Sequence, residues 1–266
     1  MLQTGNTICF KPFSLNEALR GLSEAGFENV EIGAVKGYVE HIDPDRPSVA
    51  DVRAALARHG LRAVSLSGHS ELHRRDGLER GRRVLAAAAE LEATTMSTYT
   101  RGVETTDERR AFIRHIRSLA DESQEAGVRL CLETDGNLAA NARLASALLT
   151  EIAHPWLALN YDPANAIVYS GVNVTEDLEH ALPRLGHVHL KDKRGGKGVW
   201  DFPPLGEGEL ELDVVLRRLQ AIGFTGPVSM EIEFNGRWPS WDKCLAAARR
   251  GKAHWDRLLV TSRAFV

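Results

Sequence analysis

The sequence predicts a single (β/α)8 barrel, and three observations carry that prediction. Short apolar runs alternate with amphipathic stretches eight times over. The spacing is close to 30 residues per unit, which suits parallel βαβ connections. The chain of 266 residues has the length of one such barrel rather than of two ordinary domains.

Taken in order, strands are expected near 6–11, 28–33, 62–68, 94–99, 128–133, 156–162, 186–190 and 226–232. Helices are expected near 15–25, 48–59, 78–92, 107–126, 138–151, 175–183, 212–222 and 241–260. The first helix opens on Ser14-Leu-Asn-Glu17, a capping-box pattern, with Leu15, Ala18, Leu19 and Leu22 at helical spacing. Gly26, Gly60, Gly127, Gly186 and Gly223 each precede an apolar run or a new strand. Glycine is expected just past a helix end because it takes positive φ without a Cβ clash. A doubly wound open sheet is the rival architecture, but no GxGxxG follows the first strand. No linker or low-complexity tract divides the chain, so residues 1–266 are expected to form one domain.

Composition narrows the function classes. A net charge of −3 gives no electrostatic reason to expect nucleic acid or an anionic membrane as partner. Cys9, Cys131 and Cys244 are far apart and odd in number, which favours buried free thiols in a reducing compartment. The start, MLQTGNTICFKPF, lacks the basic-then-apolar pattern of a signal peptide, and no apolar run approaches membrane-spanning length. A cytoplasmic protein is expected.

The later strands carry unusual polar residues. Side chains alternate along a strand, so one face of each run can be read directly. Glu133 and Cys131 oppose Leu130 and Leu132; Asp162, Asn160 and Ala158 oppose Leu157 and Leu159. His187 and His189 oppose Val188 and Leu190; Ser229, Glu231 and Glu233 oppose Val228, Met230 and Ile232. The apolar face packs on the helices, which turns the polar set toward the barrel axis. Strands about 4.8 Å apart on a curved wall bring their inner side chains toward a shared point. Three carboxylates and an imidazole at one mouth repel unless a cation is present. With one they form an N/O site suited to Mn2+, Mg2+, Co2+ or Zn2+, at the barrel end where active sites occur.

The stretches LCLETDGN (130–137), LNYDPAN (159–165), GHVHLKD (186–192), PPLGEGELE (203–211) and GPVSMEIE (226–233) resemble the xylose-isomerase-like sugar phosphate isomerase/epimerase family. That family includes ketose 3-epimerases, inosose isomerases and dehydratases, hydroxypyruvate isomerases and, more distantly, endonuclease IV repair nucleases. In the first half VEIG (30–33) and SLSGHSELH (65–73) are weaker echoes. The resemblance implies that Glu133, Asp162, His189 and Glu231 ligate one divalent metal ion. It also implies that Glu133 and Glu231 double as the acid/base pair. The chemistry implied is proton abstraction beside the carbonyl of a small sugar or keto-polyol, through an enediolate. A Lewis acid and a carboxylate on each side of the substrate plane would serve it.

Around this set, Asn165, His69, Lys191, Glu31 and Trp200 are the expected substrate contacts, with Lys191 facing the developing oxyanion. Asn165 stands where several members carry a histidine, and Gly195 where the epimerases carry an arginine; both point away from a strict ketose 3-epimerase. His187 is expected as a packed core histidine, and Glu233 beyond the metal or paired with a cation. RGGKGVW (194–200) and PPLGEGE (203–209) look like a phosphate cradle without being GxxxxGK[ST]; a mobile lid bearing Trp200 or Phe202 is the preferred reading. Three other functions stay in play. An inosose-type dehydratase would use the same site and the same first step. An abasic-site endonuclease would need more histidines than this chain offers. A non-catalytic barrel has no need of a complete ligand set. The resemblance leaves a homo-oligomer open, although no interface signature is visible.

Overall fold

The computed structural model describes residues 1–45 and 49–263, the last three through their backbone alone. Eight parallel strands close into a barrel. They are β1 (Leu2–Asn6), β2 (Asn29–Val35), β4 (Arg62–Ser67), β5 (Thr95–Thr98), β6 (Arg129–Glu133), β7 (Leu157–Tyr161), β8 (Leu185–Lys191) and β9 (Pro227–Glu231). Each pairs with the next, and β1 pairs with both β9 and β2, which completes the ring. A two-residue arm, β3 (Val39–Glu40), folds back antiparallel on the end of β2.

The helices surround this ring as α1 (Leu15–Glu24), α2 (Val49–His59), α3 (Arg75–Glu90), α4 (Thr106–Ala126), α5 (Ala142–Ile152), α6 (Pro163–Ser170), α7 (Val174–Ala181), α8 (Leu212–Ala221) and α9 (Trp241–Arg263). Residue 48, the expected start of the second helix, lies outside the described residues. The capping box of α1 is present: Ser14 Oγ accepts from the Glu17 amide, and Glu17 accepts from the Ser14 amide. No helix is long and apolar enough to cross a membrane among the described residues.

Three expectations need correction. The first strand is Leu2–Asn6, not 6–11. Asn6 instead caps a turn of 3-10 helix over Thr7–Phe10, its side chain accepting from the Ile8 amide. The apolar run Ile8-Cys9-Phe10 is buried by that turn, and Phe10 packs so tightly on Gly21 that a Cβ there would lie 2.3 Å from its ring. Second, Gly26, Gly60, Gly127 and Gly223 have positive φ as expected, but Gly186 does not. It is a residue of β8, where a Cβ would meet Ala158 Cβ at 2.6 Å and Cys131 Sγ at 2.9 Å. Small side chains are thus needed to fill the barrel floor. Third, α6 was not foreseen, because it begins directly on β7 with Asp162 as its cap.

The inward and outward faces are as read from alternation. Leu130, Leu132, Leu157, Leu159, Val188, Leu190, Val228, Met230 and Ile232 join one apolar core with the helices. The opposite faces of the same strands are polar and enclosed by the barrel wall.

Candidate active site

The carboxyl-end mouth of the barrel holds the expected donors. Glu133, Asp162, His189 and Glu231 are all buried. His189 Nδ1 lies 3.0 Å from Glu133 Oε1 and 3.1 Å from Glu231 Oε2. Asp162 reaches the same point because β7 runs straight into α6: its carboxylate accepts the Asn165 amide at 2.9 Å and so caps that helix. Its other oxygen, Oδ2, faces Lys191 Nζ at 3.1 Å. Ligand-type atoms of Glu133, Asp162 and His189 fall within 4.8 Å of one another. Donor atoms about 3 Å apart are what neighbouring ligands of a small divalent ion require when each lies roughly 2.1 Å from it.

The electrostatics point the same way. Burial raises the Glu231 carboxyl to about 8, against the pull of Lys191 and His189. Burial likewise raises Asp162 to about 6, against Lys191. For Glu133, burial is outweighed by His189 and His69, which hold the group well below the usual carboxylate range. Three carboxylates thus crowd one point, with Lys191 and His189 shared among them. A divalent cation fits this donor set.

Lys191 is the main internal cation. Its Nζ lies 2.6 Å from Glu233 Oε1, 2.7 Å from Glu231 Oε1 and 3.1 Å from Asp162 Oδ2, and it reaches Asn165 Oδ1 at 3.4 Å. Burial disfavours its charge, but Asp162, Glu231 and Glu233 outweigh it and raise its pKa well above the usual value. Asn165 Nδ2 also donates to Glu133 Oε1 at 3.2 Å. His69, held by Ser67, places Nε2 2.6 Å from Glu133 Oε2. Asn165, His69, Lys191 and Trp200 thus all line one cavity of about 240 Å3 with Glu133 and Glu231.

Glu31 is placed differently from the substrate contact expected of it. It is 0% exposed and lies below the cavity floor, against His189 Nε2 at 3.0 Å and His187 Nε2 at 3.5 Å. His187 is fully buried and hydrogen-bonded to Ser229 Oγ at 2.8 Å, and burial lowers its pKa to about 4. Trp238 and Trp241 stay outside the cavity, their indole N–H groups donating to the Ile8 and Glu17 carbonyls.

The glycine-rich segments cradle an anion, but it is the protein's own. Asp192 accepts backbone N–H bonds from Lys193 (2.8 Å) and Leu210 (3.2 Å) at Oδ1, and from Gly206 (2.8 Å) and Gly208 (2.9 Å) at Oδ2. Lys193 Nζ ties down the carbonyls of Arg194 and Val199, and Phe202 exchanges two backbone hydrogen bonds with Phe234. The segment expected as a mobile lid is therefore anchored at several points. Trp200 stands edge-on to buried Phe202, ring centres 4.9 Å apart.

Several wall residues were not singled out in the sequence. Asn6 Nδ2 donates to Glu31 Oε2 (3.2 Å) and to Glu231 Oε2 (3.1 Å), which the misplaced first strand concealed. The Tyr38 hydroxyl donates to Glu233 Oε2 from the β2–β3 hairpin. Arg101 pairs with Asp135 at 2.8 Å. Asp135 lies two residues after Glu133, so alternation beyond the strand end was the available signal.

Solved structures share this fold, and curated proteins are similar in sequence. The L-ribulose-5-phosphate 3-epimerase of Salmonella paratyphi B is 25% identical over 233 residues, covering 81% of each chain. The structure of an L-ribulose 3-epimerase superposes with a TM-score of 0.80 at 19% identity, over 99% of this chain and 96% of that one. A magnesium complex of a xylose isomerase-like TIM barrel protein from Mycobacterium smegmatis gives 0.77 at 18% identity, over 98% and 97%. With the closed barrel and the sequence profile of the xylose isomerase-like TIM barrel family matching residues 19–251, the chain belongs to that family.

Proposed function

We propose that the protein is a divalent-metal-dependent isomerase or epimerase of a small ketose or keto-polyol. The observation that carries this reading is the convergence of Glu133, Asp162, His189 and Glu231 at one point beside a small cavity that Glu133 and Glu231 line. Those four residues would hold the ion. Lewis-acid polarisation of a substrate carbonyl and its neighbouring hydroxyl is the chemistry that such an ion supplies when bound.

The chain's own groups would do the rest. Glu133, kept ionised by His189 and His69, is suited to remove the proton from the carbon beside the carbonyl. Glu231, 3.1 Å from His189 Nδ1, is suited to return one to the opposite face or to the adjacent oxygen. Lys191 and Asn165 are close enough to both to orient substrate hydroxyls. Trp200 limits water at the mouth. A cavity of about 240 Å3 is smaller than the ~300 Å3 at which drug-sized ligand sites begin, and suits a single monosaccharide. The kinship with ketose epimerases supports the same class, while Asn165 and Gly195 favour a substrate other than that of a strict 3-epimerase. Arg101 on the wall is already paired with Asp135. Three buried unpaired thiols fit a reducing, cytoplasmic setting.

The test is incubation of the Mn2+-loaded enzyme with a panel of ketoses and inososes in D2O. Deuterium at the carbon beside the carbonyl is expected, and Glu133→Gln should lower its rate by roughly 10²–10⁴-fold, the usual share of a general base. Full exchange with Glu133→Gln would remove the base assignment. Loss of water from the same substrates would make the protein a dehydratase working through the same first step.

A further inference from the structure

We infer that Glu31 is a positioning residue that holds the Nε2–H of His189 and so aims the Nδ1 lone pair of that ring at the metal donors. The inference rests on the metal reading above and extends it below the cavity floor. An imidazole that ligates through one nitrogen needs its proton on the other, and an acceptor beneath the ring fixes which is which. His189 Nδ1 faces Glu133 and Glu231, at 3.0 and 3.1 Å. Its Nε2 faces both oxygens of Glu31, at 3.2 and 3.0 Å, and the side-chain amide of Asn160 at 3.1 Å, whose Oδ1 has no other partner among the described residues. The two sides of the ring thus meet different partners, and Glu133 and Glu231 on the first side line the cavity.

Glu31 is built to remain an acceptor. It is completely enclosed, yet Ser65 Oγ and Ser97 Oγ donate to Oε1 at 3.3 and 3.4 Å, and Asn6 Nδ2 donates to Oε2 at 3.2 Å. Donors from β1, β4 and β5 therefore satisfy a carboxylate carried by β2, which in turn steers a ligand on β8. A buried charge with this many partners is costly to assemble for packing alone, since an apolar side chain would fill the same space without desolvation. Asn6 also donates to Glu231 Oε2 at 3.1 Å, so the same network touches a second metal ligand. Close spacing of Glu31, His187 and His189 offers one competing interpretation, in which Glu31 ligates an ion of its own. The test separates the two.

Chelator-stripped wild type and Glu31→Gln are titrated with Zn2+ by calorimetry, and histidine 15N spectra are recorded on the Zn2+-loaded proteins. Expected are one ion per chain in the wild type, His189 bound through Nδ1 with a slowly exchanging Nε2–H, and a 10–100-fold weaker site in Glu31→Gln. The melting temperature of the stripped variant should stay within a few degrees of the stripped wild type. The double variant Ser65→Ala/Ser97→Ala, which disturbs Glu31 without touching His189, should weaken the site by several-fold. Equal Zn2+ affinity in wild type and Glu31→Gln would overturn the inference, as would ligation through Nε2. Two ions in wild type falling to one in Glu31→Gln would make Glu31 a ligand instead. A wild type that binds no divalent ion would sink the metal reading itself, which is a different failure.

Discussion

Replacing Asp192 by asparagine should unfasten the loop that walls the cavity. In the native protein each Asp192 oxygen accepts two backbone N–H groups. Asparagine keeps one acceptor, which can still serve Lys193 and Leu210, but turns an NH2 group toward the amides of Gly206 and Gly208. Two donors then face a donor. A partly buried donor left without a partner costs about 1–3 kcal/mol, so the pair costs about 2–6. Relaxation is limited, because a Cβ at Gly208 would already lie 2.1 Å from Asp192 Oδ1, a measure of how closely the loop wraps the carboxylate. A loss of about 3–4 kcal/mol is expected, and at roughly 2–4 °C per kcal/mol for a chain of this size the melting temperature should fall by about 6–16 °C. Urea denaturation gives the free energy, and hydrogen exchange at the Gly206 and Gly208 amides locates it. An Asp192→Asn protein within 0.5 kcal/mol of wild type, with both amides still protected, would refute the reasoning.

Three further outcomes follow from the packing and the site. Gly21→Ala should destabilise by about 1–2 kcal/mol by denaturant titration, because overpacking against the Phe10 ring (2.3 Å from the new Cβ) exceeds the roughly 1 kcal/mol gained in helix propensity. Stripping the purified protein with a chelator should lower its melting temperature, and Mn2+ at a hundredfold excess over Kd should restore about 2.7 kcal/mol; identical melting curves would count against the site. Burial raises the thiol of Cys9, lifts Cys131 to about 12 and Cys244 to about 11. None should react with a thiol reagent at pH 8 in the native protein, and all three should do so in guanidinium.

Most of the barrel could be read from the chain because each later strand combines strict alternation with a clear stop. In LCLE, LALNYD, HVHLK and VSME the apolar residues fall on one face, and the four donors occupy the other near the strand ends. Their meeting point followed from curvature alone. The first strand failed because its outer residues look no more apolar than the turn after it: Ile8, Cys9 and Phe10 are buried by a 3-10 turn that periodicity cannot separate from a strand. Helix α6 escaped notice because a cap is normally sought in a loop, whereas Asp162 caps it from the position directly after β7. The depth of Glu31 was not legible for another reason. Alternation says that a side chain points inward, but depth along the axis depends on register, and the irregularity between Val30 and Glu31 against β4 moves Glu31 level with Ser65.

Asp162 has one consequence for any attempt to redesign this enzyme. One of its oxygens starts a helix and the other meets Lys191 Nζ at 3.1 Å, so on the proposed metal reading folding and ion binding draw on the same carboxylate. Substitution there would lower yield and turnover together, and neither loss could be credited to either cause. Exchange of specificity is better sought at Tyr99 or Trp200, whose side chains line the cavity without fastening any helix.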